Sequence, residues 1–115
     1  MKPDKLTSKE RIEHIIKAID LIQEFTKDST LISFAKDDKA YFACLFQYTI
    51  IGEAIVNIDF KILEKYEYPW YKVKSFRNFI LHEYHAIDER VVWDTTRKIL
   101  PELKEMMTAI YENEF

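Results

Sequence analysis

The sequence predicts an all-α fold, an antiparallel bundle of four to five helices, and three observations carry that prediction. One Gly and three Pro in 115 residues leave too few turn signals for a β-sandwich or barrel. Apolar residues recur at three- and four-residue steps over long stretches, which is the period of a helix face. Hydrophobic residues make up 48% of the chain and aromatic residues 15%. That is enough for one buried core but not for two, so residues 1–115 read as a single domain.

The first helix starts at Thr7 or Ser8, where Thr7 and Glu10 make a capping-box pattern. Ile12, Ile15, Ile16, Ile19 and Ile22 form its apolar face, with Phe25 as an extension. His14 lies off that stripe and reads as a surface residue. Asp28 to Lys36 is a connection in which Ser29, Thr30 and Ser33 suit caps and turns. A second, longer helix begins near Asp37 or Asp38. Tyr41, Leu45, Tyr48, Ile51, Ile55 and Ile58 line one side of it, and Phe42, Phe46, Thr49 and Val56 widen the apolar surface. So apolar a helix is either central to the core or turns a second face to a partner. Gly52 inside it costs ~1 kcal/mol relative to Ala and permits the close approach of another helix.

Asp59 to Tyr68 is a short helix or an irregular connection. Pro69 disfavours a helical Tyr68 and suits the first turn of a third helix, Trp70 to Tyr84. Val73, Phe76, Ile80 and Tyr84 make its core stripe. The last helix takes Asp88 as N-cap and continues through Val92, Ile99, Leu103, Met106 or Met107, and Ile110. Pro101 kinks it or divides it in two.

The formal net charge is −3, so the molecule as a whole does not attract nucleic acid. Its charge is uneven. Lys61, Lys65, Lys72, Lys74 and Arg77 outnumber Glu64 and Glu67, whereas Glu102, Glu105, Glu112 and Glu114 face only Lys104. A local basic surface can hold an RNA backbone despite the acidic total, although any single Lys there reads as a solvated helix face. Cys44 is the only cysteine, which excludes a disulfide framework and a Cys-rich metal site. Between Ala43 and Leu45 it reads as a buried thiol. The opening stretch has no signal-peptide core, and no apolar run reaches the ~20 residues of a membrane span. A cytoplasmic location is the default. His14, His82 and His85 lack a metal-ligand spacing with carboxylates. There is no Gly-rich phosphate loop or G-x-S-x-G elbow, so neither metal nor cofactor is expected.

The chemistry-bearing stretch is Arg77 to Tyr84, RNFILHEY. Histidine moves protons near neutral pH, and arginine grips phosphate oxygens and stabilises charge that builds on them. On a helix, Arg77 and Tyr84 lie on nearly the same face, being seven apart. Arg77 and His82 stand about 140° apart and do not converge on one phosphate from a straight helix. Two arrangements resolve this. The helix ends or bends near His82, or a two-fold dimer places the motif helices of two chains side by side around one cleft. Glu53 is an acid on an otherwise apolar helix. It either orients Arg77 or His82 or pairs structurally with a buried Arg or Tyr, with the pairing slightly favoured. Asn78 orients a phosphate or the histidine, or else stabilises the helix. Tyr66, Tyr68 and Tyr71 suit base stacking, but at this density core and interface packing is favoured.

Several features occur in order: IIGEA at Ile50 to Ala54, Pro69-Trp70, Arg77-Asn78, His82-Glu83-Tyr84, Ile87-Asp88, and Val91-Val92-Trp93. In this combination, from about residue 10 to residue 110, the sequence resembles the HepT-like toxins of the HEPN superfamily. The resemblance implies an all-helical homodimer acting as a metal-independent endoribonuclease, with Arg77 and His82 as its catalytic pair. It also implies a toxin–antitoxin partnership with a nucleotidyltransferase-fold, MntA-like antitoxin. In that family the antitoxin transfers AMP from ATP onto the motif tyrosine, which maps to Tyr84.

Three function classes follow. The first is an RNase toxin neutralised by its nucleotidyltransferase. The second is a non-catalytic module that binds nucleotide or substrate for that nucleotidyltransferase. The third is a structural interaction domain, against which the intact Arg77, His82 and Tyr84 argue.

Overall fold

The computed structural model describes residues 5–115, and all regular structure in them is helical. Residues 1–4 of the opening stretch, read above for a signal peptide, lie outside the described residues. In chain order the helices are α1 (Ser8–Thr26), α2 (Leu31–Ala35), α3 (Asp38–Asn57), α4 (Phe60–Leu63) and α5 (Trp70–Glu83). A 3-10 turn at Tyr84–Ala86 leads to α6 (Glu89–Asp94), a π-helical turn at Thr95–Ile99 and α7 (Leu100–Glu114). No helix among the described residues is long and apolar enough to cross a membrane.

The caps follow the sequence. Thr7 accepts from the Glu10 backbone while Glu10 reaches back to Thr7, so the capping box forms and α1 starts at Ser8. Asp37 caps α3, and Asp88 caps α6. The stretch Asp28 to Lys36 is not a plain connection. Thr30 and Ser33 build a second reciprocal cap, which is strong enough to start the one-turn α2 and bury Phe34.

α3 is the central element, packed against α1, α5 and α2, and α1 covers one side of it. In α1, Ile12, Ile15, Ile19 and Ile22 are fully buried, and the helix packs against α3 and α7. Both neighbours run antiparallel to it. Ser8 Oγ accepts from the Asp59 amide just past the end of α3, while Asp20 pairs with Lys104 and Lys9 lies over the Tyr111 ring. The first helix has no basic residue in its last turn. Arg97, stacked on Trp93, supplies donors instead, to the carbonyls of Thr26 and Ser29.

Three positions of the expected core differ. Ile99 is 48% exposed, and Leu100 is buried in its place. The π turn at Thr95–Ile99 holds one residue more than an α turn, which moves the buried register on by one. Its walls are tied down where Tyr48 and Thr96 share a buried hydroxyl–hydroxyl bond of 2.6 Å. Pro101 falls in the first turn of α7, directly after the π turn, so the proline divides the last helix there. Tyr84 was expected to continue the core stripe of the motif helix. It is 65% exposed, because α5 ends at Glu83 and the 3-10 turn rotates it outward, and Ile87 closes the core there. Phe25 at the end of α1 is also exposed.

The basic and acidic segments partly neutralise each other. Glu114 near the chain end accepts from Lys65 Nζ at 2.9 Å and from the Tyr66 hydroxyl at 2.8 Å.

Cys44 is fully buried, and burial pushes its thiol up to about 12, with a smaller push from Asp37. At pH 8 it stays a protonated, enclosed thiol. Ellman's reagent is expected to leave the native protein unmodified and to titrate one thiol after denaturation. Fast labelling of the native protein would contradict this burial.

Candidate functional site

Arg77 is placed first by the backbone beneath it. α5 packs on α3 at Gly52, and a Cβ built on residue 52 would stand 2.6 Å from Arg77 Cγ and still nearer its Cβ. Only glycine leaves room for this approach, so the aliphatic stem of Arg77 lies directly on the α3 backbone. The close helix approach expected at Gly52 is therefore made by the motif arginine itself.

The guanidinium is then aimed by two acceptors. Its Nη2 donates to Glu53 Oε2 at 2.6 Å, and its Nη1 donates to Asn78 Oδ1 at 2.8 Å. Asn57 steadies Glu53, its Nδ2 donating to the Glu53 backbone oxygen at 2.8 Å and to Oε1 at 3.3 Å. The Arg77 side chain is 26% exposed and that of Glu53 is 56% exposed. A pair so open to water adds about 0–1 kcal/mol, so its effect is to orient rather than to stabilise. Arg77 Nε is buried without a hydrogen-bond partner among the described residues. Such a group costs about 1–3 kcal/mol, which fits an arginine held for use rather than for stability.

His82 is exposed in the last turn of α5. The helix ends one residue beyond it, but His82 keeps its helical place, and Arg77 bonds to Glu53 and Asn78 rather than to it. Asn78 lies one turn before His82 and about 40° from it on the outward face. Arg77 thus reaches the histidine face through Asn78. Tyr84 opens the 3-10 turn on solvent, with its ring edge-on to His85 at 5.8 Å between centroids. His85 is exposed as expected, near Glu83. Of the sequence-predicted residues, the fold brings Arg77, Asn78 and Glu53 together and leaves His82 and Tyr84 on the surface. Tyr66 and Tyr68 pack against the core, whereas Tyr71 is exposed.

Arg77 and Glu53 line a groove of about 340 Å³. Its opposite wall comes from α1 and includes Arg11 and His14, while Leu81 rather than His82 represents the end of α5. Reading His14 as a surface residue was correct for its exposure but missed this placement. Nothing in the sequence links α1 to Arg77, because the link runs through the packing of both helices on α3. A separate apolar cavity of about 290 Å³ beside the π turn contains none of the predicted site residues. Among the described residues, no three or more His, Cys, Asp or Glu side chains are grouped to hold a metal ion.

Comparison with known proteins identifies the family of the chain. A family profile described as "Ribonuclease HepT-like" matches residues 15–110. A protein of Thermococcus cleftensis described as "Probable ribonuclease HepT" is 40% identical over 102 residues, covering 87% of this chain and 92% of that protein. A Caldanaerobacter subterraneus subsp. tengcongensis protein, described as a candidate RNase, is 30% identical over 94% of this chain and 97% of its own length. A Methanocaldococcus jannaschii protein, described as a gamma-glutamylcyclotransferase and candidate RNase, is 34% identical over 88% of this chain, which spans 46% of it. No solved structure gives a significant match. With a profile match across most of its length and relatives aligned nearly end to end, the chain belongs to the ribonuclease HepT-like family.

Proposed function

We propose that this protein is a metal-independent endoribonuclease and the toxin of a toxin–antitoxin pair. The observation that carries this reading is the seating of Arg77: stem on Gly52, guanidinium held by Glu53 and Asn78, one turn from an exposed His82. The ribonuclease names of its relatives support the RNase part of this reading.

RNA carries its own nucleophile, the 2′-OH. Cleavage needs a base for its proton, an acid for the leaving 5′-oxygen and a cation for the charge on the phosphorane. In this reading His82 moves the protons and Arg77 binds the phosphate, with Glu53 and Asn78 as positioning residues. Since Arg77 and His82 of one chain point about 140° apart, the site is composite. Two copies related by a two-fold axis bring Arg77 of one chain to His82 of the other. Tyr71 and Phe79, exposed on α5, give such a contact apolar area.

Tyr84 is the regulatory position. Its exposed hydroxyl attacks the α-phosphate of ATP on a nucleotidyltransferase antitoxin. A phenolic O–P bond forms, the bond to the β-phosphate bridge breaks, pyrophosphate leaves and the phenolic proton is lost. The attached AMP adds bulk and negative charge beside Arg77 and His82, blocking the phosphate site.

The test is cleavage of total RNA in EDTA by unmodified wild type and by His82→Ala, with intact mass recorded on each sample. The reading expects cleavage by the wild type and its loss in the variant. Cleavage by His82→Ala at the wild-type rate would remove His82 from the mechanism. No cleavage by wild type of unmodified mass would favour the non-catalytic nucleotide-binding module.

A further inference from the structure

The groove that seats Arg77 has a second wall with no role in the reading above. Arg11 and His14 stand three residues apart on α1, hence on one face of it, and line the groove across from Glu53 and Arg77. They do not sit on a loose end. Ile12 and Ile15, buried between and beside them, fix the rotation of α1. The capping box and the bond from the Asp59 amide to Ser8 Oγ fix its first turn.

The charges on this groove are unequal in their commitments. Arg77 is taken up by Glu53 and Asn78. Among the described residues, Glu53 is the single carboxylate lining the groove, and it is committed to Arg77. Glu10, the carboxylate next in sequence to Arg11, is occupied by the Thr7 cap. Arg11 makes no ion pair among the described residues. Among the described residues, the groove therefore offers a guanidinium without an ion-pair partner and an imidazole, both within the electrostatic reach of Glu10, beside the arginine that binds phosphate. Its remaining walls, including Ile50 and Leu81, are apolar.

We propose that Arg11 and His14 form a second phosphate subsite, which holds the backbone phosphate of single-stranded RNA flanking the one Arg77 grips. The proposal rests on the RNase reading and deepens it by naming a part of the substrate track. A strand laid along the groove places successive phosphates against α5 and then α1. The contact is made to backbone rather than to base, so it contributes affinity without sequence preference. It is equally present before and during cleavage, so its loss falls on KM rather than on kcat.

The experiment measures binding of a fluorescent RNA oligonucleotide whose 2′-hydroxyls carry methyl groups, which blocks the nucleophile and prevents cleavage. Binding is followed over a salt series for wild type, Arg11→Gln, His14→Gln, the double variant, Arg77→Ala and Lys98→Ala, with thermal melts to confirm folding. Lys98 is exposed on the π turn, outside the groove, and serves as the control for bulk charge. Arg11→Gln is expected to weaken binding about tenfold and to reduce the log–log salt slope by ~0.7, the value for one lost single-strand phosphate contact. On a cleavable oligonucleotide, the double variant is expected to show the defect in KM. Binding by the double variant equal to that of Lys98→Ala, while Arg77→Ala loses affinity, would overturn the subsite and leave the RNase reading intact. A wild type that neither binds nor cleaves RNA would overturn both.

Discussion

Gly52→Ala is expected to lower both the melting temperature and the RNA-cleavage rate. In an open helix the same change raises stability by ~1 kcal/mol, because alanine restricts the unfolded chain and favours the helix. Here the added methyl meets Arg77 Cγ at 2.6 Å, and its Cβ closer still. Those atoms sit next to the α5 backbone and cannot swing aside, so α5 must move away from α3. Overpacking of this kind costs about 1–3 kcal/mol, which exceeds the propensity gain. The melting temperature should fall by several degrees, at roughly 4–8 °C per kcal/mol for a domain near this size. The rate should fall further than stability, by about 100-fold, because a displacement near 1 Å at a catalytic group has that effect. Circular dichroism melts and single-turnover cleavage on the same samples test both. A stabilised and fully active Gly52→Ala would show that Arg77 does not depend on this contact.

Local signals made most of this fold legible in the sequence. Thr7–Glu10, Asp37 and Asp88 each mark a helix start through a side chain bonded within three residues, and all three form as read. The isoleucine stripe of α1 and the Tyr41-to-Ile58 stripe of α3 are buried because period alone decides which side meets the core. The misreadings arose where the period was broken. The π turn inserts a residue, so Ile99 yields to Leu100, and the end of α5 turns Tyr84 from the core to the solvent. The candidate site divides in the same manner. Gly52 and Glu53 were recognisable as unusual on an apolar helix, but that both serve Arg77 rests on contacts between distant parts of the chain, set by how α5 lies on α3. Arg11 and His14 gave no signal, since an arginine and a histidine three apart on a charged helix face are ordinary.

Arg77→Ala and His82→Ala, each inactive alone, are expected to regain activity when mixed. In the proposed composite site, Arg77 of one chain meets His82 of its partner. In a mixed dimer, one of the two sites receives Arg77 from the His82→Ala chain and His82 from the Arg77→Ala chain, and is whole. The other site lacks both groups. Random exchange gives ~half mixed dimers with one whole site each, so about a quarter of the wild-type rate should return. A site built within one chain predicts no recovery, because each chain then lacks one of its own groups. The structure makes this contrast sharp. Within one chain Arg77 is anchored by Gly52, Glu53 and Asn78, and His82 is exposed on another side of the same helix. The measurement is cleavage by the two variants separately and after co-refolding, at fixed total protein. Recovery near a quarter supports the shared site. No recovery, with mixed dimers demonstrated by differential tagging, would mean that His82 acts on the phosphate held by its own Arg77.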